Sequence, residues 1–108
     1  MDNKKNSRLV DFFSKYPVRK YKKGDLIYRQ GEAAKTVGLT KSGYVRAFIE
    51  NKEGEEMTLP ILKPVFYTTL TSNIFEREMF YSLETMTDTE IWTAPGKDVV
   101  EFMKNNLD

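Results

Sequence analysis

The chain has 108 residues and a net charge of +1, and 40% of its residues are hydrophobic and 31% charged, which is the composition of one globular domain. It contains neither cysteine nor histidine, and this excludes disulfides, thiolate or histidine metal sites and Ser–His–Asp triads. Net charge near zero gives no overall attraction for nucleic acid, and no apolar run approaches the roughly 20 residues of a membrane span. We therefore expect a cytoplasmic protein that is not an enzyme, carries no cofactor or metal and has no membrane partner.

The first segment predicts a helix over about residues 7–16. Ser7 can cap its start by accepting a free backbone N–H, and Pro17 ends it. Its apolar residues fall at helical spacing on one face: Leu9, Val10, Phe12, Phe13 and Tyr16. We expect this helix to pack across one end of the β-structure that follows.

From about residue 17 to 94 the pattern changes to short strands separated by turns that contain glycine. The predicted strands are 18–22, 26–30, 36–41, 44–51, 55–62, 79–85 and 89–94. Val45, Ala47 and Ile49 alternate with polar or aromatic neighbours, and Met57, Leu59 and Ile61 do the same, so these two runs predict a hairpin of half-buried strands. Several short strands with regular turns indicate a sandwich or a barrel.

The last segment predicts a helix over about residues 97–106. Val99, Val100, Phe102 and Met103 supply its buried stripe. Asp98 lies near its N-terminus, where negative charge is favoured. The chain therefore reads as one domain, residues 1–108.

The segment 63–83 concentrates the candidate site residues, because it is rich in aromatic side chains and contains a single arginine. Phe66, Tyr67, Phe80 and Tyr81 can line an apolar pocket, or they can fill the space that a ligand would occupy. Arg77 can contact an anionic ligand, or it can be a surface arginine paired with neighbouring carboxylates.

Several short runs in a fixed order carry a family resemblance: YKKGDLI at 21–27, GE at 31–32, SGYV at 42–45, EG at 53–54 and TMTDTEIW at 85–92. Together they resemble the cyclic-nucleotide-binding domain of Crp/Fnr-type transcription regulators, over about residues 9–107. The resemblance implies a mainly β fold, a double-stranded β-helix or jelly roll with short flanking α-helices.

In that family a dimerisation helix and a DNA-binding domain follow the sensor domain. We expect neither within this chain, which is then the sensor domain of a longer regulator or a free-standing domain. DNA would be contacted only through a domain absent from this chain, and the full-length protein would be a homodimer.

The family's ligand site is a phosphate-binding cassette, with a Gly-Glu pair, a short helix, and an arginine followed by Ser or Thr and then Ala. Backbone N–H groups and the arginine receive the phosphate, and the glutamate accepts a bond from the ribose. Here Arg77 matches the arginine, but Glu78 and Met79 follow it, and Phe66 and Tyr67 stand in place of the Gly-Glu pair.

The resemblance and its departures predict an effector-sensing domain that does not bind cyclic AMP in the family manner. Its effector would be a small anionic or aromatic molecule, bound by Arg77, Phe66, Tyr67, Phe80 and Tyr81. The alternative is a ligand-free structural or dimerisation module with a closed pocket. A cupin-type enzyme shares the barrel but would need a metal site built from carboxylates alone.

Overall fold

The structure is a computed structural model that describes residues 3–59, 67–68 and 77–106. Within these residues eight strands form two antiparallel four-stranded sheets, and a helix lies at each end of the chain. The elements are α1 Asn3–Phe13, β1 Val18–Tyr21, β2 Leu26–Tyr28, β3 Thr36–Ser42, β4 Val45–Glu50, β5 Glu56–Thr58, β6 Tyr67–Thr68, β7 Ser82–Thr85, β8 Thr89–Pro95 and α2 Gly96–Asn105.

The chain passes repeatedly from one sheet to the other. The first sheet has the strand order β1-β8-β3-β6 and the second has β2-β7-β4-β5. The turns β3–β4 and β7–β8 therefore both connect the two sheets. This is the predicted mainly β jelly roll with short flanking helices.

The two helices cover the outer face of the first sheet. The apolar cluster between them is fully buried: Phe13, Val37, Leu39, Ala94 and Val99. The helices also contact each other, because the Phe12 ring stacks on the Phe102 ring with 4.3 Å between centroids. A second cluster belongs to the second sheet and contains Val45, Ala47, Met79 and Leu83, with Tyr28, Leu59 and Tyr81 packed against it.

The N-terminal helix lies earlier in the chain than predicted. It runs from Asn3 to Phe13, so Ser7 lies inside the helix and does not cap it. After Phe13 the chain tightens, since the Tyr16 amide donates to the Phe13 carbonyl at 2.9 Å. This hydrogen bond spans three residues instead of the four of an α-helix, and the helix ends before the residue that precedes Pro17. The backbone of that residue is restricted by the proline.

The hairpin between β4 and β5 is confirmed by the pairing of Ile49 with Met57, but the predicted alternation fails in β5. That strand is short and lies at the edge of the second sheet, and Met57 is 62% exposed. Leu59 follows it and packs against the second cluster, whereas Ile61 lies outside the described residues. The strand predicted over 79–85 begins only at Ser82, because the Met79 backbone is hydrogen-bonded to Gly31 and Glu32 in the loop after β2.

Candidate functional site

The region between the two sheets is defined by strand alternation. Val37 and Leu39 in β3 pack under the helices, so Thr36, Gly38 and Thr40 face the other way, towards the second sheet. Tyr28 of the second sheet supports this assignment, since its hydroxyl lies 2.7 Å from Thr36 Oγ1.

We call this region the roll interior. Among the described residues, one wall includes Thr36, Gly38, Thr40 and Ile91 from the first sheet, and the other includes Val45, Ala47 and Leu83 from the second. Ile91 shares the face of Thr40 because the two residues are paired across β8 and β3. None of these wall residues has an ionisable side chain. By register Arg19 of the edge strand β1 shares the face of Ile91, but its side chain is exposed.

Thr40 is the polar residue of the roll interior that sequence reasoning missed. It is fully buried, and its Oγ1 has no hydrogen-bond partner among the residues that the structure describes. The signal was present in the sequence, because a period of two that buries Val37 and Leu39 on one side must turn Thr40 to the other. A strand prediction over residues 36–41 does not by itself assign the two faces of the strand.

The predicted site residues in the described part of the chain differ in their exposure. Arg77 is exposed and Phe80 is 63% exposed, whereas Tyr81 is half-buried against the second apolar cluster. The Phe80 and Tyr81 rings make an edge contact, with 4.7 Å between centroids. Tyr67 lies in β6, paired with Leu39, and Phe66 lies outside the described residues.

The segment after Arg77 is fixed by backbone pairing with the loop after β2. Ala33 and Glu78 form an isolated antiparallel bridge. The Gly31 amide donates to the Met79 carbonyl at 2.7 Å, and the Met79 amide donates to the Glu32 carbonyl at 2.9 Å. Glu78 is exposed, while Met79 is 2% exposed within the second cluster. The backbone therefore directs the methionine inward beside Val45, Ala47 and Leu83.

A charged cluster lies on the opposite, outer face of the second sheet. Arg46 Nε donates to Glu84 Oε1 at 2.6 Å, Nη2 donates to Glu56 Oε1 at 2.8 Å and Nη1 donates to Thr58 Oγ1 at 2.9 Å. The hydrogen bonds to Glu56 and then Glu84 raise the pKa of the Arg46 guanidinium, against the opposing effect of partial burial. The guanidinium also lies 4.3 Å from the Phe48 ring centroid. Because every polar contact here is internal and links β4, β5 and β7, the cluster is a structural tie.

The described residues contain no group of three or more His, Cys, Asp or Glu that could hold a metal ion. No helix in that part of the chain has the length and apolar character needed to cross a membrane.

Comparison with known proteins agrees with this geometry. The family model for the cyclic nucleotide-binding domain matches residues 18–106. The chain belongs to the cyclic nucleotide-binding domain family. The resemblance to Crp/Fnr-type regulators is thereby confirmed. No curated protein matches the sequence.

Solved structures of regulators share the fold. The catabolite activator protein of Thermus thermophilus is 29% identical with a TM-score of 0.78, and the match covers 91% of this chain and 46% of that one. The c-di-GMP responsive global regulator CLP of Xanthomonas campestris is 18% identical with a TM-score of 0.82, and the match covers 94% and 50%. The sensor domain of the transcriptional regulator DNR from Pseudomonas aeruginosa is 17% identical with a TM-score of 0.77, and the match covers 93% and 67%. The chain thus spans about half the length of the full-length structures that it matches.

Proposed function

We propose that this chain is the effector-sensing domain of a Crp/Fnr-like transcription regulator and that it does not bind cyclic AMP or cyclic GMP in the family manner. The role is one of binding rather than catalysis. DNA contact and homodimer formation would belong to the full-length regulator. The names of the three similar structures, all of them regulators, support this setting.

The burial of Met79 carries the second half of the proposal. In the family pattern an alanine stands at this position, two residues after the arginine. Here a methionine stands there, and its side chain is 2% exposed in the second apolar cluster. A methionine fills volume that an alanine would leave open to a ligand, and packed interiors leave little room for both. The space near the cassette arginine is therefore smaller than the family pattern provides.

Charge at the neighbouring position supports the same conclusion. Glu78 is exposed and directly follows Arg77, where the family pattern has a serine or threonine. A carboxylate at this position repels a phosphate group, whereas a hydroxyl donates a hydrogen bond to it. The substitution therefore weakens phosphate binding even if Arg77 still turns towards a ligand.

Calorimetric titration with cyclic AMP and cyclic GMP tests the proposal. We expect no heat of binding at millimolar nucleotide for the wild-type chain. Arg77→Ala is the site variant, and Lys104→Ala, at an exposed cation in α2, is the matched control. Micromolar binding that is lost in Arg77→Ala but kept in Lys104→Ala would show that the cassette functions in the family manner, and the proposal would be wrong.

The alternative is a ligand-free dimerisation module with a closed interior. It predicts that the isolated chain is a dimer by sedimentation and that no small molecule changes its Tm. A stabilising small molecule bound by a monomeric chain supports the sensing role instead.

A further inference from the structure

We propose that the Thr40 hydroxyl is a hydrogen-bonding anchor in the roll interior for an uncharged, largely apolar effector. This inference rests on the proposed sensing function and names the class of ligand that the interior would accept.

The other buried hydroxyls make Thr40 an exception. The buried polar side chains of the described residues are Thr40, Ser82, Thr85 and Thr89. Ser82 Oγ accepts from the Gln30 amide at 2.8 Å, Thr85 Oγ1 donates to the Lys22 carbonyl at 2.6 Å, and Thr89 Oγ1 donates to the Thr87 carbonyl at 2.8 Å. Thr40 Oγ1 alone among these four has no partner in the described part of the chain. Buried polar groups without a partner destabilise a fold, so each one that persists calls for a reason.

The described residues that pair with Thr40 in β8 and line the facing wall are apolar. Its register partner in β8 is Ile91, which is 2% exposed, and the facing wall carries Val45, Ala47 and Leu83. A single unpaired hydroxyl in such walls matches the usual design of small-molecule sites, in which apolar contacts supply affinity and one or a few polar groups supply orientation.

The absence of charge from the wall residues sets the ligand class. An anion moved between these described wall residues would lose its hydration without gaining a counter-charge from any of them, which strongly opposes binding. Arg19 and Arg77 have exposed side chains. Since a threonine hydroxyl both donates and accepts, the fitting ligand has an uncharged apolar body with one hydroxyl, carbonyl or similar group.

The thermal stability of the ligand-free chain provides the first test. Thr40→Val keeps the β-branched shape and removes the hydroxyl, so we expect the Tm to rise by about 4 °C as the unpaired group is lost. Thr36→Val is the matched control on the same face of the same strand. Its hydroxyl is paired with Tyr28, and we expect its removal to lower the Tm by about 4 °C. A fall in Tm for Thr40→Val similar to that for Thr36→Val would show that the Thr40 hydroxyl has a partner within the chain, and the inference would be overturned.

The second test measures the binding of three small probes by NMR titration. Phenol and toluene have similar size, but phenol carries a hydroxyl where toluene carries a methyl group. Benzoate carries a charged carboxylate at the same position. We expect phenol to bind the wild-type chain about fivefold more tightly than toluene, as one net hydrogen bond allows, and benzoate to bind more weakly than either. Thr40→Val should abolish the preference for phenol, whereas Thr40→Ser, which keeps the hydroxyl, should retain it.

Two further outcomes would overturn the inference. One is equal affinity for phenol and toluene in the wild-type chain, and the other is a phenol preference that survives in Thr40→Val. Neither outcome bears on the nucleotide titration with Arg77→Ala, so failure of this inference is distinguishable from failure of the proposed sensing function.

Discussion

Two turns of the roll approach each other closely at Gly43, between β3 and β4, and this contact gives the sharpest stability prediction. Gly43 has φ +91°, and a Cβ there would lie 2.5 Å from the Asp88 carbonyl oxygen and 2.5 Å from Thr89 Oγ1. It would also lie 2.8 Å from Thr89 Cα. Because two of these atoms belong to the backbone of the β7–β8 turn, they cannot move aside as the end of a flexible side chain can. Gly43→Ala must therefore separate the two turns that connect the sheets.

Gly54 provides the matched control for this substitution. Its φ is +82°, but a Cβ there would meet nothing within 4 Å. Alanine in this backbone conformation costs about 1–2 kcal/mol, and the smaller entropy of the unfolded chain offsets about 0.4–1 kcal/mol. We therefore expect Gly54→Ala to lower the free energy of unfolding by roughly 0–1.6 kcal/mol. Gly43→Ala carries the same backbone cost and adds the overlap, which is typically about 1–3 kcal/mol.

Urea denaturation of both variants measures the difference. We expect Gly43→Ala to be less stable than Gly54→Ala by about 2 kcal/mol, which corresponds to a Tm lower by roughly 8–16 °C for a domain of this size. The m-values should stay the same, so that the change reflects stability rather than compactness. Equal losses in the two variants would show that only the backbone conformation matters and that the two turns are not in close contact.

Three other changes test separate parts of the fold. Arg46→Met should lower the free energy of unfolding by about 1–2 kcal/mol, because Glu84 loses its charged partner; adding Glu84→Gln should recover part of the loss in a double-mutant cycle, and strict additivity would argue against the tie. Burial, and next the hydrogen bond to Asp98, raises the pKa of Tyr16 above its ordinary value of 10.0. The contribution of Tyr16 to the free energy of unfolding is therefore complete below pH 10.0 and is lost as the pH rises through the raised pKa. The wild-type chain should therefore lose stability more steeply than Tyr16→Phe in that alkaline range, and parallel pH profiles would contradict this. Met79→Ala should lower the free energy of unfolding by about 2–5 kcal/mol, because it leaves a cavity. A decrease below about 1 kcal/mol would mean that the Met79 side chain is not packed.

The fold was predictable because local signals agreed with one another. Glycines at the turns and alternating apolar residues located most of the strands, and the apolar stripe after Asp98 located α2, which begins at Gly96. The extents of the elements were less predictable, since they depend on position in the sheet. β5 is short because it is an edge strand, and the two-residue strand β6 was not predicted, because Tyr67–Thr68 is defined only by its pairing with β3.

The candidate site was less predictable, because sequence identifies residue types but not the face on which each side chain lies. The sequence alone makes Phe66, Tyr67, Phe80 and Tyr81 equivalent candidates for a pocket. Adjacent positions then differ sharply in the structure, since Met79 is 2% exposed and Phe80 is 63% exposed. The pairing of Glu78 with Ala33 sets this alternation, and a long-range pairing of this kind leaves no local trace in the sequence.

The same reasoning explains why Thr40 stands out once the register is known. Because successive side chains of a strand point to opposite faces, the alternation that places Val37 and Leu39 beneath the helices directs the Thr40 side chain into the roll interior. The register with β8 shifts immediately after Thr40, since Ser42 rather than residue 41 pairs with Glu90. The side chains of the strand beyond Thr40 are polar and exposed. A valine at position 40 would satisfy the same register, the same burial and the same strand propensity. This sequence agrees with its fold at many levels yet keeps at position 40 a hydroxyl that has no partner among the described residues. Such a departure from local stability is expected where a residue has a functional role.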